Sequence, residues 1–251
     1  MDAVNAPGTG NGTAETQPAA PDDAYQRYTA WKGWHDHFTI TPVRARYYRL
    51  ETKGAAISGA NVLEIGFGVG EFLAFAQAEG ATVAGTEIIP ELIEAAQAHG
   101  VELLPPEIEA VAEAHAGRFD TIAAFDVFEH FVMEDVIARL DACHTMLKPG
   151  GRLILRFPNG QSPFGLTQQH GDPTHRSALS LANLTPYLSR KDWQVVGYRG
   201  QVIVGGGTVL HSAVRFVRTT LRGAIAAALR FIYCVHHPFD AVVVLTLKKG
   251  G

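Results

Sequence analysis

The segment that most constrains the fold is an apolar run that leads directly into alternating glycines, V-L-E-I-G-F-G-V-G at residues 62–70. The apolar run predicts a buried strand, and residues 71–79 predict a helix immediately after it. Gly66, Gly68 and Gly70 remove side chains where a ligand must approach the main chain closely. Glu64 is an acid inside an apolar strand, so we expect it to face a polar ligand or a backbone donor. The segment therefore predicts a ligand-binding turn between a strand and a helix.

Strand and helix patterns alternate along most of the remaining chain. Strands are predicted at 61–66, 82–87, 101–104, 119–127 and 151–157, and helices at 71–79, 90–99, 106–116 and 134–147. This alternation predicts an α/β fold with a parallel, doubly wound sheet, and the near-continuous apolar strands indicate that helices cover both faces. Two later strands are predicted at 193–198 and 240–248, with a long helical stretch at 209–235 between them.

Composition divides the chain into three parts. Residues 1–24 are rich in Gly, Ala, Pro and Thr, which predicts a disordered tail. Residues 25–60 are aromatic and basic, which predicts a helical cap that either packs its aromatic side chains on the main domain or covers part of the substrate. Residues 61–251 form the predicted main domain, with a helical insertion at about 205–237.

Charge and cysteine content exclude several classes of function. A net charge of −4 over 251 residues argues against a nucleic-acid partner, because phosphate binding favours a basic surface. Cys143 and Cys234 form neither a disulfide framework nor a metal-ligand spacing, so we expect a reducing cytoplasm and no metal site. The N-terminus has no basic start followed by an apolar run, so we expect no secretory signal.

A second acid, Glu87, stands about 20 residues after the glycine turn, at the end of the predicted second strand. A carboxylate at this position can accept hydrogen bonds from two adjacent ribose hydroxyls. The alternative is an acid at the start of a helix, stabilised by the helix dipole. The spacing from the glycine turn favours the ribose role.

The glycine spacing distinguishes between two cofactor families. It reads E-x-G-x-G-x-G at 64–70, whereas dinucleotide-binding enzymes typically have G-x-G-x-x-G. It resembles motif I of the class I S-adenosylmethionine-dependent methyltransferases. Two later segments resemble the same family: F-D-T-I-A-A-F-D-V-F-E-H at 119–130 and L-K-P-G-G-R-L at 147–153. A nicotinamide-dependent dehydrogenase, the alternative, would account for the glycine turn and Glu87 but not for these two segments.

The resemblance implies a Rossmann-like, seven-stranded sheet whose last strand lies antiparallel between the fifth and sixth. It also implies S-adenosyl-L-methionine as the cofactor. The three glycines would admit its methionine and ribose portions, Glu64 would orient the turn or the methionine amino group, and Glu87 would hold the ribose. Asp126 would line the site at the end of the fourth strand, because ligands of open α/β sheets bind beyond the carboxyl ends of the strands.

The sequence favours an oxygen atom as the methyl acceptor. An N-P-P-Y-like run, common in enzymes that methylate base amino groups, is replaced by D-V-F-E at 126–129, and neither cysteine adjoins a proline as base C5 methylation would require. The D-P-T-H segment at 172–175 resembles one in bacterial methyltransferases of cell-surface polysaccharides or their lipid-linked precursors, which predicts a saccharide or lipid-linked glycan acceptor. A soluble small metabolite, such as a quinone-like compound, is the alternative, and a non-catalytic binding module is the third.

Histidines near the predicted fifth strand are the candidate acid–base residues. His170, Asp172 and His175 fall within one segment, where either histidine could act as general base while Asp172 orients it. The alternative is that 172–175 makes a turn and caps the next helix, with solvated histidines. His130 is the remaining candidate, either as an acid–base group or as a wall of the pocket.

The late helical stretch combines basic and apolar residues. Arg215, Arg218 and Arg222 lie on one helical face among Val, Leu, Ile, Phe and Ala. Such a helix can bind peripherally to an anionic membrane surface, but its charges interrupt every apolar run before a spanning length. The alternative is that its apolar face packs on the sheet or on a second subunit as a homodimer.

Overall fold

A computed structural model describes residues 37–205 and 209–251. In this part of the chain seven strands form one sheet: β1 (Asn61–Ile65), β2 (Thr82–Thr86), β3 (Glu102–Leu103), β4 (Phe119–Phe125), β5 (Leu147–Pro158), β6 (Gln194–Gly200) and β7 (Val242–Lys248). Their order is β3-β2-β1-β4-β5-β7-β6. The first five strands are parallel, and β7 lies antiparallel between β5 and β6. This confirms the predicted Rossmann-like sheet.

Helices cover both faces of the sheet. The α-helices of the described residues are α1 (Pro42–Glu51), α2 (Glu71–Ala78), α3 (Pro90–Ala98), α4 (Met133–Met146), α5 (Leu166–Gly171), α6 (Leu181–Leu188) and α7 (Val209–Tyr233). The buried apolar residues form two clusters, one on each side of the central strands. Leu63 and Val62, neighbours on β1, belong to different clusters because successive strand residues point to opposite faces. Both faces of β1 are therefore packed by apolar side chains, which fix the position of its carboxyl end.

Three segments differ from the sequence-based prediction. The single helix predicted at 106–116 is wrong, because two short 3₁₀ helices, Ile108–Ala110 and Glu113–His115, occupy this stretch. Two α-helices, α5 and α6, were not predicted. The N-terminus of α6 is closed by a capping box between Ser180 and Asn183.

The described part of the predicted N-terminal cap consists mainly of α1. Thr41 caps this helix, and Tyr47 and Tyr48 on its inner face are buried. The Tyr48 ring packs against Phe72 and Phe75 of α2. The tail at 1–24 and residues 25–36 lie outside the described residues, so the division of the chain at residues 24 and 60 stays a prediction. Within the described residues, no helix has both the length and the apolar character needed to cross a membrane.

Candidate active site

The turn after β1 is built from backbone that favours glycine. Gly66, Gly68 and Gly70 have φ angles of +63°, +54° and +74°, in the left-handed region that L side chains rarely adopt. A Cβ on Gly66 would come within 2.8 Å of the Val127 side chain, and one on Gly70 within 2.5 Å of the Phe38 ring. At Gly66 and Gly70 the turn therefore has space for backbone alone. The N–H groups of Gly66, Gly68 and Gly70 donate to Thr86, Glu87 and Phe67, which fixes the shape of the turn.

Glu87 follows β2 and holds the glycine turn directly. Its Oε2 accepts from the N–H of Gly68 at 2.9 Å, and its Oε1 accepts from Ile88 and Ile89 at 2.7 and 3.2 Å. Burial raises the pKa of this carboxyl, and the three backbone donors offset part of that rise. Glu87, the residue predicted to hold the ribose, thus lies against the glycine turn, and it lines the cavity that opens there.

Glu64 is buried within β1, with 4 % of its surface exposed. Its Oε2 has no hydrogen-bond partner among the described residues, although the residue lines the cavity at the glycine turn. Burial raises the pKa of Glu64 well above its usual value, and the nearby Arg156 opposes this effect. A buried acceptor without a partner fits a cationic group, such as the ammonium of a bound methionine moiety.

Asp126, at the end of β4, is fixed by Arg156 of the neighbouring strand β5. Nε of Arg156 donates to Oδ1 of Asp126 at 3.0 Å, and a second guanidinium nitrogen donates to Oδ2. Asp126 has a φ of +59°, an unusual conformation for a non-glycine residue that often marks functional sites. Arg156 also donates to the Tyr47 hydroxyl at 2.6 Å, which connects the carboxyl ends of the strands to α1.

A cavity of about 490 Å³ lies at the carboxyl ends of β1, β2 and β4 and is lined by Glu64, Gly66, Gly68, Glu87, Asp126 and Arg156. Gly70 does not line it, because it faces the Phe38 ring at the start of α2. Arg44 and Tyr48 of α1 line it as well, and Nε of Arg44 donates to Glu71 at 2.9 Å. The glycine backbone, which lets a ligand approach closely, and the carboxyl groups of Glu64 and Glu87 provide contacts for a nucleoside joined to an amino acid. The residues present therefore fit S-adenosylmethionine.

A second cavity, of about 320 Å³, adjoins the first. Asp126 and His130 line both cavities, so they form the boundary between them. The second cavity is otherwise lined by residues from the turn after β4, from the end of β5 and the segment after it, and from the start of β7: Glu129, Pro158, Thr167, Gln168, Gly171, Asp172, His175 and Val242. Its position beside the cofactor cavity makes it the candidate acceptor site.

His130 is oriented by Thr174 and Asp172. The Thr174 hydroxyl lies 2.5 Å from Oδ1 of Asp172 and 2.8 Å from Nδ1 of His130. Because a carboxylate can only accept, the hydroxyl proton points to Asp172, and Nδ1 of His130 is then the donor to Thr174. In the neutral imidazole this leaves the lone pair on Nε2.

His175 has the same tautomer for a different reason. Its Nδ1 lies 3.0 Å from the main-chain oxygen of Gln169, which can only accept. Its Nε2 lies 4.0 Å from a carboxyl oxygen of Glu129 and 4.0 Å from one of Asp172. The rings of His130 and His175 meet edge to face with centroids 4.7 Å apart. The structure thus brings together three of the four predicted catalytic residues.

Glu129 is completely buried, and neither of its carboxyl oxygens has a hydrogen-bond partner among the described residues. Burial raises its pKa well above the usual value, and the negative charge of Asp126 adds to the effect. Its main-chain oxygen accepts from the N–H groups of Arg176 and Ser177 at 2.8 and 3.0 Å, which fixes the D-P-T-H segment against the end of β4. One donor atom each from Glu129, His130 and His175 lies within 4.8 Å of the others, so this group could hold a metal ion that the sequence did not predict.

His170, the fourth predicted catalytic residue, is not part of this cluster. It is exposed near the end of α5 and lines neither cavity. The turn expected at 172–175 is present, because Thr174 N donates to Oδ1 of Asp172 at 3.0 Å, but Ser180 caps the next helix. The sequence did not predict that Arg44, Tyr48 and Arg156 line the cofactor cavity. For Arg44 and Tyr48 the available signal was the aromatic and basic composition of residues 25–60.

The fold and the two cavities define a class I methyltransferase. A family model described as "Methyltransferase domain" matches residues 34–198. The chain therefore belongs to the methyltransferase domain family, whose cofactor is S-adenosylmethionine.

Curated relatives and solved structures agree with this assignment. The chain is 34% identical over 150 residues to the ubiquinone biosynthesis O-methyltransferase of Xylella fastidiosa (strain M23), a match that covers 55% of this chain and 58% of that protein. The match to the protein of the same name from Xanthomonas euvesicatoria pv. vesicatoria (strain 85-10) is 34% over 128 residues, 48% of this chain and 51% of that one. The chain thus spans between half and two thirds of these relatives.

The fold itself is shared with solved methyltransferases of low sequence identity. A S-adenosylmethionine-dependent methyltransferase from Archaeoglobus fulgidus superposes with a TM-score of 0.56 at 20% identity, covering 82% of this chain and 91% of that one. One from Mesorhizobium loti superposes with a TM-score of 0.57 at 14% identity, covering 82% and 98%.

Proposed function

We propose that this protein transfers a methyl group to a hydroxyl oxygen of a small, quinone-like aromatic metabolite. The observation that carries the proposal is the position of His130, which lines both the cofactor cavity and the neighbouring cavity. Methyl transfer is an in-line displacement, so the acceptor oxygen and the group that takes its proton must meet at such a boundary. The names of the curated relatives support a quinone-type acceptor.

When bound, S-adenosylmethionine supplies an electrophilic methyl group on its positively charged sulfur. The acceptor oxygen forms the new C–O bond as the C–S bond breaks, and the hydroxyl proton passes to Nε2 of His130. Asp172 and Thr174 keep the lone pair on that nitrogen, because they hold the proton of the imidazole on Nδ1. The carboxylate of Asp172, which reaches His130 through the Thr174 hydroxyl, stabilises the charge of the resulting imidazolium.

His175 is assigned a supporting role behind His130. Its ring contacts the His130 ring, and its Nε2 faces the buried Glu129 at 4.0 Å rather than the cofactor cavity, which His175 does not line. It therefore positions His130 and completes the wall of the acceptor cavity. His130 is thus the proposed base. The sequence favoured His175 for this role, so the turnover of His175→Ala is the one to compare with that of His130→Ala.

The test measures transfer of labelled methyl from S-adenosylmethionine to a dihydroxybenzene, and separately to a saccharide fraction. We expect label on a hydroxyl of the aromatic compound. His130→Ala should lose far more turnover than His175→Ala, whereas His170→Ala should retain full turnover. Label on the saccharide alone would replace the aromatic acceptor by the glycan predicted from the sequence.

Calorimetry of S-adenosylhomocysteine binding distinguishes a variant that fails to bind the cofactor from one that fails in proton transfer. Unchanged binding in all three variants, with turnover lost only in His130→Ala, would support a base at the boundary. Loss of turnover on chelation, restored by a divalent cation, would instead assign Glu129, His130 and His175 to a metal and contradict proton transfer by His130.

A further inference from the structure

Helix α7 is the most exposed element of the described chain. Every described side chain from 210 to 233 is exposed or half-buried, and none is buried. Phe231 is 86% exposed and Phe216 and Leu210 are each 71% exposed, although large apolar side chains usually lie inside. The matched family model ends at residue 198, so α7 lies outside the matched residues.

The exposed apolar residues of α7 form a continuous stripe. Leu210, Val214, Val217, Leu221 and Ile225 recur at intervals of three or four residues, which places them on one side of the helix. The stripe continues through Ile232, two turns further on. A helix with such a stripe needs an apolar environment, and the domain to which it is attached does not cover it.

The charges of α7 have a single sign. Four arginines lie within Val209–Tyr233, and the sequence of this helix contains no Asp or Glu, although the whole chain has a net charge of −4. Arg215, Arg218 and Arg222 lie along one edge of the apolar stripe, where long side chains can reach from an apolar layer to polar headgroups. Arg222 also pairs with Asp240, which joins the middle of the helix to the segment before β7.

We propose that α7 lies in the plane of an anionic membrane surface, with its apolar stripe in the acyl boundary and its arginines at the headgroups. A self-complementary dimer through this face would place the arginines of one copy against those of the other, so the uniformly basic helix favours negatively charged lipid over a second copy of this chain. The proposal concerns where the enzyme resides and does not depend on the identity of the methyl acceptor.

The test uses the full chain and two kinds of vesicles, one of phosphatidylcholine alone and one of equal parts phosphatidylcholine and phosphatidylglycerol. We expect co-flotation with the anionic vesicles and loss of binding at high salt. Each arginine removed lowers partitioning about fivefold, so Arg215→Ala/Arg218→Ala loses about twenty-five-fold. Leu221→Ser/Ile225→Ser loses about tenfold or more, because it removes apolar area from the acyl boundary.

The matched control is Arg190→Ala, which removes an exposed arginine outside α7 and should bind vesicles like the unaltered protein. Binding of S-adenosylhomocysteine by every variant verifies that the domain is folded. Absence of flotation with anionic vesicles, or flotation equal in all variants, would overturn the proposal. A dimer in light scattering that Leu221→Ser/Ile225→Ser dissociates, without vesicle binding, would assign the stripe to a second copy.

Discussion

The cofactor cavity and the acceptor cavity are built in different ways although they share a wall. The first depends on backbone shape and on residues close together in the sequence, such as Gly66, Gly68 and Glu87. The second depends on side chains that come together from distant segments, such as His130 and Thr174, which are 44 positions apart. A fixed cofactor needs a fixed backbone frame, whereas acceptors differ among enzymes of one fold and are selected by loops.

The largest expected effect separates chemistry from binding at the shared wall. His130→Ala should lower kcat by about 10²–10⁴-fold, the usual contribution of a general base, and leave the affinity for S-adenosylhomocysteine unchanged. Single-turnover transfer of labelled methyl measures the first quantity and calorimetry the second. A turnover loss of less than tenfold would place the base elsewhere.

The next effect tests the cofactor cavity alone. Glu87→Ala removes a carboxylate that can accept from a ribose and also frees the N–H of Gly68. We expect the dissociation constant of S-adenosylhomocysteine to rise about 10–100-fold, as for the loss of charge-assisted hydrogen bonds. Glu87→Gln, which keeps one acceptor oxygen, should lose less. Equal affinities for all three proteins would remove Glu87 from the cofactor site.

The third effect tests whether the turn after β1 requires glycine for space as well as for backbone angle. Gly66→Ala forces a Cβ to within 2.8 Å of Val127 at a φ of +63°, so we expect a loss of about 2–3 kcal/mol in the free energy of unfolding. Gly117→Ala is the matched control, because its φ is +62° and no atom lies within 4 Å of the added Cβ. Urea unfolding of both should show the smaller loss for Gly117→Ala; similar losses would mean that angle alone matters.

The smallest effect concerns the buried carboxyl of Glu129. Its raised pKa means that the folded state holds this proton more tightly than the unfolded state, so its contribution to stability is full below the unfolded pKa and declines as pH rises toward the folded pKa. Between about pH 5 and 8 we expect the free energy of unfolding to decline, and Glu129→Gln should make this decline shallower, because the raised pKa values of Glu64 and Glu87 account for the rest. Urea midpoints across this range measure it, with the exposed Glu134→Gln as control. A decline as steep in Glu129→Gln as in the unaltered protein would contradict the raised pKa of Glu129.

The sequence located most of the residues that line the cofactor cavity, Gly70 excepted, because the signals for them are local. The apolar run into 62–70 and the acid at the end of β2 are short patterns whose spacing is set by a strand and a turn. The strand order, with β7 antiparallel between β5 and β6, came with the family resemblance and is confirmed.

The acceptor half was harder to predict because its geometry depends on long-range contacts. Asp172 was expected to orient a nearby histidine, yet it acts through Thr174 on His130, which belongs to a different strand end. Arg156 on β5 donates to Asp126 at the end of the neighbouring strand and to Tyr47 of α1, and no sequence pattern predicts these two contacts. His170 was grouped with His175 by proximity in sequence, but the end of α5 turns it toward solvent.

The connection between β6 and β7 leaves and re-enters the sheet at one place. Gly200 pairs with Val243, and the N–H of Gln201 donates to the oxygen of Val242 at 3.3 Å, so the two ends of the excursion that contains α7 are adjacent. Because its ends adjoin, the connection that contains α7 can be lengthened, shortened or replaced without changing the register in which β6 pairs with β7. Val242 also lines the acceptor cavity, so a different connection in a related enzyme would still be attached beside that cavity.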